Sequence, residues 1–168
     1  GLEFRRVLFR SRWTVFDEAS GRFYVNVMNP AVIAVVEARK PDAVAFMYGV
    51  PSTGPHGLDF DPDTHRLFCA CDSARLLTLD ASTGRILGER PLSGGPDVIF
   101  FHRRRQQLYV ASGDPGVIDV FDTRTMEPIG RFETERGAHT TALDPDRDRL
   151  YVFLPQTHRA AVYRIDGP

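Results

Sequence analysis

The hydrophobic and polar positions of this chain repeat at intervals of about forty residues. Each repeat contains a strand-like segment with a central aromatic residue, and these segments read RFYV, RLFC, QLYV and RLYV. The central residues are Tyr24, Phe68, Tyr109 and Tyr151, so the steps between them are 44, 41 and 42 residues. Around Tyr151 both alternating sets of positions are apolar, whereas a sheet with one solvated face would alternate with polar residues. We therefore expect these segments to be buried on both faces.

Each repeat predicts a four-stranded antiparallel meander. In the second repeat, residues 80–84 (DASTG) form an Asp-to-Gly tight turn between the third and fourth strands. The fourth repeat supplies only three strands before the sequence ends, and closed propellers commonly borrow such a missing outer strand from the other terminus. The strands predicted for the second repeat are residues 58–60, 66–71, 76–80 and 85–91.

A fixed period of this size, built from strands alone, is typical of a β-propeller, in which sheets are arranged as blades around an axis. We therefore predict an all-β fold, a partial β-propeller of about three and three-quarter four-stranded antiparallel blades. A β-sandwich fits less well, because its outer faces would carry polar residues. The predicted blades span about residues 12–50, 55–92, 96–134 and 138–168.

The first eleven residues fit no phase of the repeat. Residues 2–11 read LEFRRVLFRS, which matches the conceptual translation of a common sequencing adapter. We expect residues 1–11 to be an adapter-derived artefact, with native sequence starting at Arg12. The alternative is a genuine basic, amphipathic extension. On the first interpretation, residues 12–168 are the C-terminal part of a propeller whose N-terminal blades are missing.

The repeat resembles the YVTN-repeat propellers, also called YncE-like proteins. The likeness covers nearly all of residues 12–168 and is clearest at 54–60 (GPHGLDF), 94–99 (GGPDVI) and 107–112 (QLYVAS). It implies a seven-bladed propeller, often exported to the periplasm, that binds or scaffolds without established chemistry. The asparagine of the YVTN motif is replaced at all four of its positions, by Val27, Cys71, Ser112 and Leu154.

Composition excludes some classes of partner and cofactor. The net charge is −1 and no basic stripe is present, so we expect no nucleic acid partner. No apolar run has the length of a membrane span. Cys69 and Cys71 point to one face of a strand, lack the spacing of a zinc site, and are interpreted as small buried apolar residues. Phosphate-loop, nucleophile-elbow and metalloprotease motifs are absent, so no cofactor is predicted.

One repeat position carries most of the candidate chemistry. Twelve residues before each central aromatic residue lie Arg12, His56, Asp97 and His139, at the entry to each innermost strand. Innermost strands line the central channel, so we expect these side chains to meet at one mouth of it and to bind a ligand there. The alternative is that each histidine only holds its own loop. The following loops add a polar rim: Asn29, Asp72, Asp114, Gln156 and His158.

A second repeat position carries Asp17, Asp61, His102 and Asp144, seven residues before each aromatic residue. Aspartate at the start of a β-turn caps backbone amides, and we favour this interpretation over a repeated calcium site. These turns are expected at the opposite end of the blades from the predicted mouth.

We expect a non-enzymatic binding or scaffold protein whose ligand, a small molecule or a protein, binds at the channel mouth. The alternative is a lactonase-like hydrolase or lyase with His56 or His139 as general base. A protein that loads metal is a third hypothesis. The compartment is not fixed by the sequence, although the family resemblance suggests an exported protein.

Overall fold

The computed structural model describes residues 10–166, which form four antiparallel sheets. The first sheet contains β1 (Ser11–Asp17), β2 (Arg22–Val27), β3 (Val32–Glu37) and β4 (Val44–Gly49). The second contains β5 (Pro55–Asp61), β6 (Arg66–Cys71), β7 (Arg75–Asp80) and β8 (Ile86–Pro91). The third contains β9 (Gly95–His102), β10 (Gln107–Asp114), β11 (Val117–Asp122) and β12 (Glu127–Glu133). The fourth contains β13 (Thr141–Asp144), β14 (Arg149–Leu154) and β15 (Arg159–Arg164).

Each sheet is a meander in which strands neighbouring in sequence are hydrogen-bonded neighbours. The chain divides into two compact units between Arg90 and Pro91, so the first unit holds the first and second sheets and the second unit holds the third and fourth. Within residues 10–166, no helix has the length and apolar character that crossing a membrane would require. Most of the predicted adapter segment, residues 1–9, lies outside the described residues.

The second and third strands of every repeat lie within two residues of their predicted positions, and the largest difference is at β10, which the pattern predicts at 107–112 and which ends at Asp114. The first strands of the second and third repeats, which the sequence predicts at 58–60 and 98–101, are longer in the structure. Their pairing continues through the Gly-Pro segments, where Pro55 lies opposite Cys71 and Gly95 lies opposite Asp114. The register shifts in both stretches, as a bulged strand does when it keeps its partner through an irregular segment.

The core of the first unit lies between its two sheets. Tyr24 and Phe60 stack with ring centroids 5.9 Å apart, and the hydroxyls of Tyr24 and Tyr48 each donate to the carbonyl of Ala81 at 3.1 Å. Because buried tyrosines need a hydrogen-bond partner for the hydroxyl, these bonds fix the position of the first sheet relative to the second. The buried cluster comprises Tyr24, Ile33, Val35, Tyr48, Val50, Leu58, Phe60, Leu67, Cys69, Cys71, Leu77, Leu79 and Ala81.

The second unit has an equivalent core between the third and fourth sheets. Tyr109 occupies the place of Tyr24, and its hydroxyl donates to the side chain of Gln107 at 2.6 Å. Burial raises the pKa of Tyr109 to about 12. The buried cluster comprises Tyr109, Ala111, Ile118, Val120, Ala138, Leu150, Val152 and Ile165.

The first turn of every sheet has one backbone design. Three residues before each central aromatic residue the backbone is left-handed, with φ between 52° and 67°. The carbonyl of this residue accepts a hydrogen bond from the amide that follows the third strand, at 2.8 to 3.0 Å. The four left-handed residues are Gly21, His65, Gln106 and Asp148, and their donors are Ala38, Ala81, Thr123 and Ile165.

The aspartates that begin these turns cap backbone amides, as predicted. Asp17 accepts from the amide of Ala19 at 3.1 Å, and Asp61 accepts from the amide of Asp63 at 3.0 Å. Asp144 accepts from the amide of Arg147 at 3.0 Å. We call this end of the sheets, marked by Asp17, Asp61, His102 and Asp144, the turn end.

At the turn end, one His–Asp bridge joins the two sheets of each unit. In the first unit His65 Nε2 lies 3.3 Å from the carboxylate of Asp17, and its other nitrogen lies 2.9 Å from the Ser82 hydroxyl. In the second unit His102 Nε2 lies 2.9 Å from the carboxylate of Asp148. Both bridges join the position seven residues before one central aromatic residue to the position three residues before the next. The first bridge has aspartate and then histidine at these positions, and the second has histidine and then aspartate.

The Arg103–Arg105 run supports the second bridge. Arg104 and Arg105, which lie in the turn between β9 and β10, both donate to the Asp148 carboxylate, at 2.8 Å and 2.9 Å. Hydrogen bonds from Arg105, Arg104 and His102 hold the pKa of Asp148 well below its usual range. Asp148 therefore stays ionised at neutral pH and keeps the bridge charged.

The turn that follows β7 depends on Gly84. Its φ is +73°, and a Cβ there would overlap the ring of Tyr48. We expect Gly84→Ala to lower the free energy of unfolding by about 2 to 4 kcal/mol, from backbone strain and overpacking. Urea unfolding followed by the fluorescence of Trp13 measures this. Gly88→Ala is the control, since its Cβ would meet no atom within 4 Å; equal losses in both variants would contradict the role of Gly84.

The Asp148 bridge predicts a pH dependence. Because the folded state lowers the pKa of Asp148, its contribution to stability is present above the ordinary aspartate pKa of about 4 and is lost as pH falls further. We expect Asp148→Asn, which tolerates the left-handed backbone, to be less stable than wild type at pH 7. The difference should shrink toward pH 2 in urea melts. Asp146→Asn, an exposed neighbour in the same turn, should track wild type at every pH.

Candidate functional site

The four predicted ligand residues lie at the end of the sheets opposite the turn end, which we call the site end. Arg12 lies in β1, His56 in β5 and Asp97 in β9, whereas His139 lies in the loop before β13. Arg12 and His56 belong to the first unit, and Asp97 and His139 belong to the second. Within each unit, the residues that neighbouring sheets supply from this one repeat position are in contact.

The first-unit cluster consists of Arg12, His56 and Asp72. Arg12 lies 3.3 Å from His56 Nε2, and Asp72 lies 2.8 Å from His56 Nδ1. Arginine can only donate and a carboxylate can only accept. The imidazole is therefore in the tautomer that carries its proton on Nδ1, with the Nε2 lone pair directed at the guanidinium. The His56 side chain is mostly buried, at 17% exposure, while Asp72 is 37% exposed.

The backbone under this cluster is held by Asn26. Its side-chain amide donates to the carbonyls of His56 at 2.9 Å and Gly57 at 3.1 Å, although it comes from the neighbouring sheet. Asn26 is fully buried, so these bonds also satisfy an amide that would otherwise be costly. Gly54 lies against Asp72 with φ +66°, and a Cβ there would overlap the Asp72 side chain. Both contacts fix His56 and Asp72 relative to each other.

The second-unit cluster consists of Asp97 and His139. The carboxylate of Asp97 lies 2.9 Å from His139 Nδ1, so this histidine also has its Nδ1 turned to a carboxylate. Half of the His139 side chain is exposed. Gly113 packs against it, since a Cβ on Gly113 would lie 3.4 Å from the His139 Cβ. The loops nearby carry further charge: Arg136 donates to both carboxylate oxygens of Asp114 at 2.9 Å.

Both clusters contain a histidine whose Nδ1 faces a carboxylate. A carboxylate on Nδ1 orients the imidazole and leaves Nε2 as a hydrogen-bond acceptor, a base or a metal ligand. In the first unit Arg12 adds a cation beside that nitrogen. Within the described range of 10–166, no group of three or more His, Cys, Asp or Glu side chains is arranged to hold a metal ion. Each carboxylate–histidine pair suits hydrogen bonding and proton transfer.

Some of the loop residues that were predicted to form the polar rim have hydrogen-bond partners in the structure. Asp72 and Asp114 are bound as described, and the backbone N–H of Gln156 donates to the Glu135 carboxylate at 2.7 Å. Sequence reasoning missed Asn26, Glu135 and Arg136. Glu135 and Arg136 lie in the loop between a fourth strand and the next first strand, which carries no repeated motif. Asn26 could have been noticed as the one polar residue inside an apolar strand.

Cys69 and Cys71 are free, fully buried and part of the first-unit core, as predicted. Their sulfur atoms are 3.9 Å apart, and the Cys69 thiol donates to the side-chain oxygen of Asn26 at 3.5 Å. The neighbouring thiol, followed by burial, raises the pKa of Cys69 well above its ordinary value. Cys69 therefore stays a neutral thiol that packs behind the site.

Comparison with known proteins gives relatives for part of the chain. The uncharacterized protein YncE of Salmonella typhimurium is 29% identical over 100 residues, which are 59% of this chain and 28% of that protein. YncE of Salmonella typhi is 28% identical over the same shares of both proteins. No family model matches the chain. The chain is thus a distant homologue of YncE-like proteins over part of its length and covers less than a third of these curated relatives.

A solved structure with the same fold is a chain of hydrazine synthase from Kuenenia stuttgartiensis. The TM-score is 0.76 at 21% sequence identity, and the match covers 84% of this chain and 41% of that chain. At this identity the likeness shows the fold alone. The four sheets are blades of a partial β-propeller, so the predicted fold class and the predicted resemblance are both confirmed.

The contact between His56 and Asp72 makes the tautomer testable. In wild type, nitrogen-15 NMR should show the His56 proton on Nδ1. We expect Asp72→Ala to weaken this preference, which Arg12 alone then supports, and to increase the share of the tautomer protonated on Nε2. Asp114→Ala is the matched control, because Asp114 is an exposed carboxylate bound to Arg136. A proton on Nε2 of wild-type His56 would contradict the assignment.

Proposed function

We propose that this chain, a distant homologue of the YncE-like β-propellers, is a non-enzymatic binding protein. Its ligand, a small polar molecule or a polar segment of a partner, contacts Arg12, His56, Asp97 and His139 at the site end. In this proposal the four residues act at the channel mouth that the repeat pattern predicts. The ligand must offer both hydrogen-bond donors and hydrogen-bond acceptors, because the four residues include groups of both kinds.

One observation carries the proposal: the same repeat position supplies charged or ionisable side chains that touch across neighbouring sheets. Arg12 contacts His56 at 3.3 Å and Asp97 contacts His139 at 2.9 Å. Charged hydrogen-bonding groups held in place by a scaffold lose little entropy when a ligand binds. Hydrogen bonds to ionised groups are also about twice as strong as neutral ones.

A second candidate function is acid–base catalysis, which the two carboxylate–histidine pairs favour. With Nδ1 on a carboxylate, His56 or His139 could take a proton at Nε2 from a water that attacks a lactone or ester. The carboxylate would stabilise the imidazolium that forms. For His56 we rank this below binding, because Arg12 already donates to His56 Nε2 and a general base needs that lone pair for substrate.

A ligand screen tests the binding proposal. Thermal shifts with a panel of carboxylic acids, amino acids and sugars identify a ligand class, and calorimetry measures its Kd. We expect Arg12→Ala, His56→Ala and His139→Ala each to raise that Kd at least about tenfold, as for the loss of one charged hydrogen bond. Arg124→Ala, an exposed arginine between β11 and β12, is the control and should bind as wild type.

Lactone and ester hydrolysis assays separate the two functions. A binding protein shows no turnover that depends on His56 or His139. An enzyme should lose about two orders of magnitude in rate with either His→Ala change. If no ligand of the panel shifts the melting temperature, or if the three variants bind as tightly as wild type, the binding proposal fails.

A further inference from the structure

The second sheet carries two thiols side by side on one strand. Cys69 and Cys71 lie on β6, their sulfur atoms are 3.9 Å apart, and both residues are free and fully buried. Because valine fills both corresponding positions of the first sheet, packing between sheets does not require a thiol at either of them. The corresponding pairs in the first, third and fourth sheets are Val25 and Val27, Val110 and Ser112, and Val152 and Leu154.

The spacing of these two cysteines allows a disulfide and makes it a strained one. Alternate residues of a strand point to the same face, and at a rise of about 3.3 Å per residue their Cα atoms are about 6.6 Å apart. Disulfides usually span about 4.4 to 6.8 Å between Cα atoms, so the pair is near the upper end of that range. Because β6 is paired with β5 and β7, its backbone has little freedom to shorten the span. Strained disulfides are easily reduced again, which is typical of reversible redox chemistry rather than of structural cross-links.

Both cysteines are linked to residues that hold His56. The Cys69 thiol donates to the side-chain oxygen of Asn26, and the amide group of Asn26 donates to the backbone carbonyl of His56. Cys71 directly precedes Asp72, whose carboxylate lies 2.8 Å from His56 Nδ1. A change in the positions of the two sulfur atoms therefore reaches His56 from two sides.

We propose that Cys69 and Cys71 form a redox-sensitive pair, which a peroxide joins into a reversible disulfide that loosens the support of His56. Cys71 is the last residue of β6 and hydrogen-bonds to Ser52 in the loop before β5. Ser52 is half-buried and hydrogen peroxide is little larger than water, so a small opening of this loop admits the oxidant. The proposal rests on the contacts of His56 and not on the binding function proposed above.

Peroxide is the only co-reactant that this reaction needs. A hydrogen bond with Cys69 lowers the pKa of Cys71, so the Cys71 thiolate attacks first. Its sulfur bonds to one peroxide oxygen, the O–O bond breaks and hydroxide leaves, which oxidises the sulfur to a sulfenic acid. The Cys69 sulfur then bonds to the Cys71 sulfur, the S–O bond breaks, and the oxygen leaves as water with the Cys69 proton. The hydroxide takes up the proton that Cys71 had lost, so two thiols and one hydrogen peroxide yield one disulfide and two waters.

The disulfide removes a hydrogen bond on which Asn26 depends. Once it is bonded to Cys71, the Cys69 sulfur has no proton to donate, and the side-chain oxygen of Asn26 loses that donor. Asn26 is fully buried, so an unpaired oxygen there is costly. The side chain lowers this cost by turning toward another donor, which breaks its bond to the His56 carbonyl. We therefore expect oxidation to move His56 relative to Asp72.

Treatment of the full 168-residue chain with hydrogen peroxide tests the proposal. We expect the number of free thiols, counted in denaturant, to fall from two to none. Mass spectrometry after trypsin digestion should find peptide 67–75, which contains both cysteines, lighter by two hydrogen atoms. The nitrogen-15 NMR signals of the His56 ring should shift on oxidation and return after dithiothreitol. The ring signals of His139, which belongs to the other unit, should show no shift that dithiothreitol reverses.

A variant that combines Cys69→Val with Cys71→Val separates this effect from other oxidation. It reproduces the valine pair of the first sheet, so we expect it to fold. Peroxide also oxidises methionine, and Met28 contacts Arg12 beside His56. Dithiothreitol reduces a disulfide but not a methionine sulfoxide, so the double variant should lack the reversible shift of the His56 signals.

Four results would overturn the proposal. The first is two free thiols after a treatment that oxidises the exposed Met47 completely. The second is a disulfide between two chains instead of one within peptide 67–75. The third is a disulfide that leaves the His56 signals unchanged, and the fourth is the same reversible shift in the double variant.

Discussion

The structure depends on sheets that have no water-facing side at their centres. In β6 and β10, side chains of both alternating sets are buried, so each sheet needs an apolar neighbour to be stable. Burying one aliphatic side chain is worth about 1.5 to 3 kcal/mol, and each unit buries a continuous cluster of them between two sheets. Everything at the ends of the sheets is positioned by this packing. Arg12 meets His56, for example, because the first and second sheets share one buried cluster.

Polar contacts then fix the stacking at both ends. At the turn end a histidine and an aspartate from neighbouring sheets bridge each unit, and at the site end Asn26 binds the backbone of the sheet beside it. Such buried or half-buried bonds add little net stability, but they are costly to leave unmade. They therefore select one relative position of two apolar surfaces that could otherwise slide. A fixed position of the sheets also fixes the distances between the candidate ligand residues, which their chemistry requires.

The fold could be predicted from the sequence in most respects, because the forty-residue period and the two-sided apolar strands leave few alternatives. The bounds of β5 and β9 were predicted less well, since glycine and proline usually end a strand and here pairing continues across a shifted register. Which residues would share a repeat position could also be predicted. The contact between His56 and Asp72 could not, because Asp72 lies at a different repeat position, in the loop between β6 and β7. The bridge between His102 and Asp148 escaped prediction because it joins two different repeat positions.

The exchange of histidine and aspartate between the two bridges limits how such repeats can be rearranged. A blade with aspartate at its turn position is compatible with a following blade that offers histidine, as Asp17 and His65 show. If a blade with aspartate at this position replaced the one that carries His102, its carboxylate would face the carboxylate of Asp148. Gene duplication or blade grafting in this protein should therefore succeed with matched pairs of blades and fail with single ones. The unit that can be duplicated is thus a pair of blades, although the sequence repeats one blade at a time.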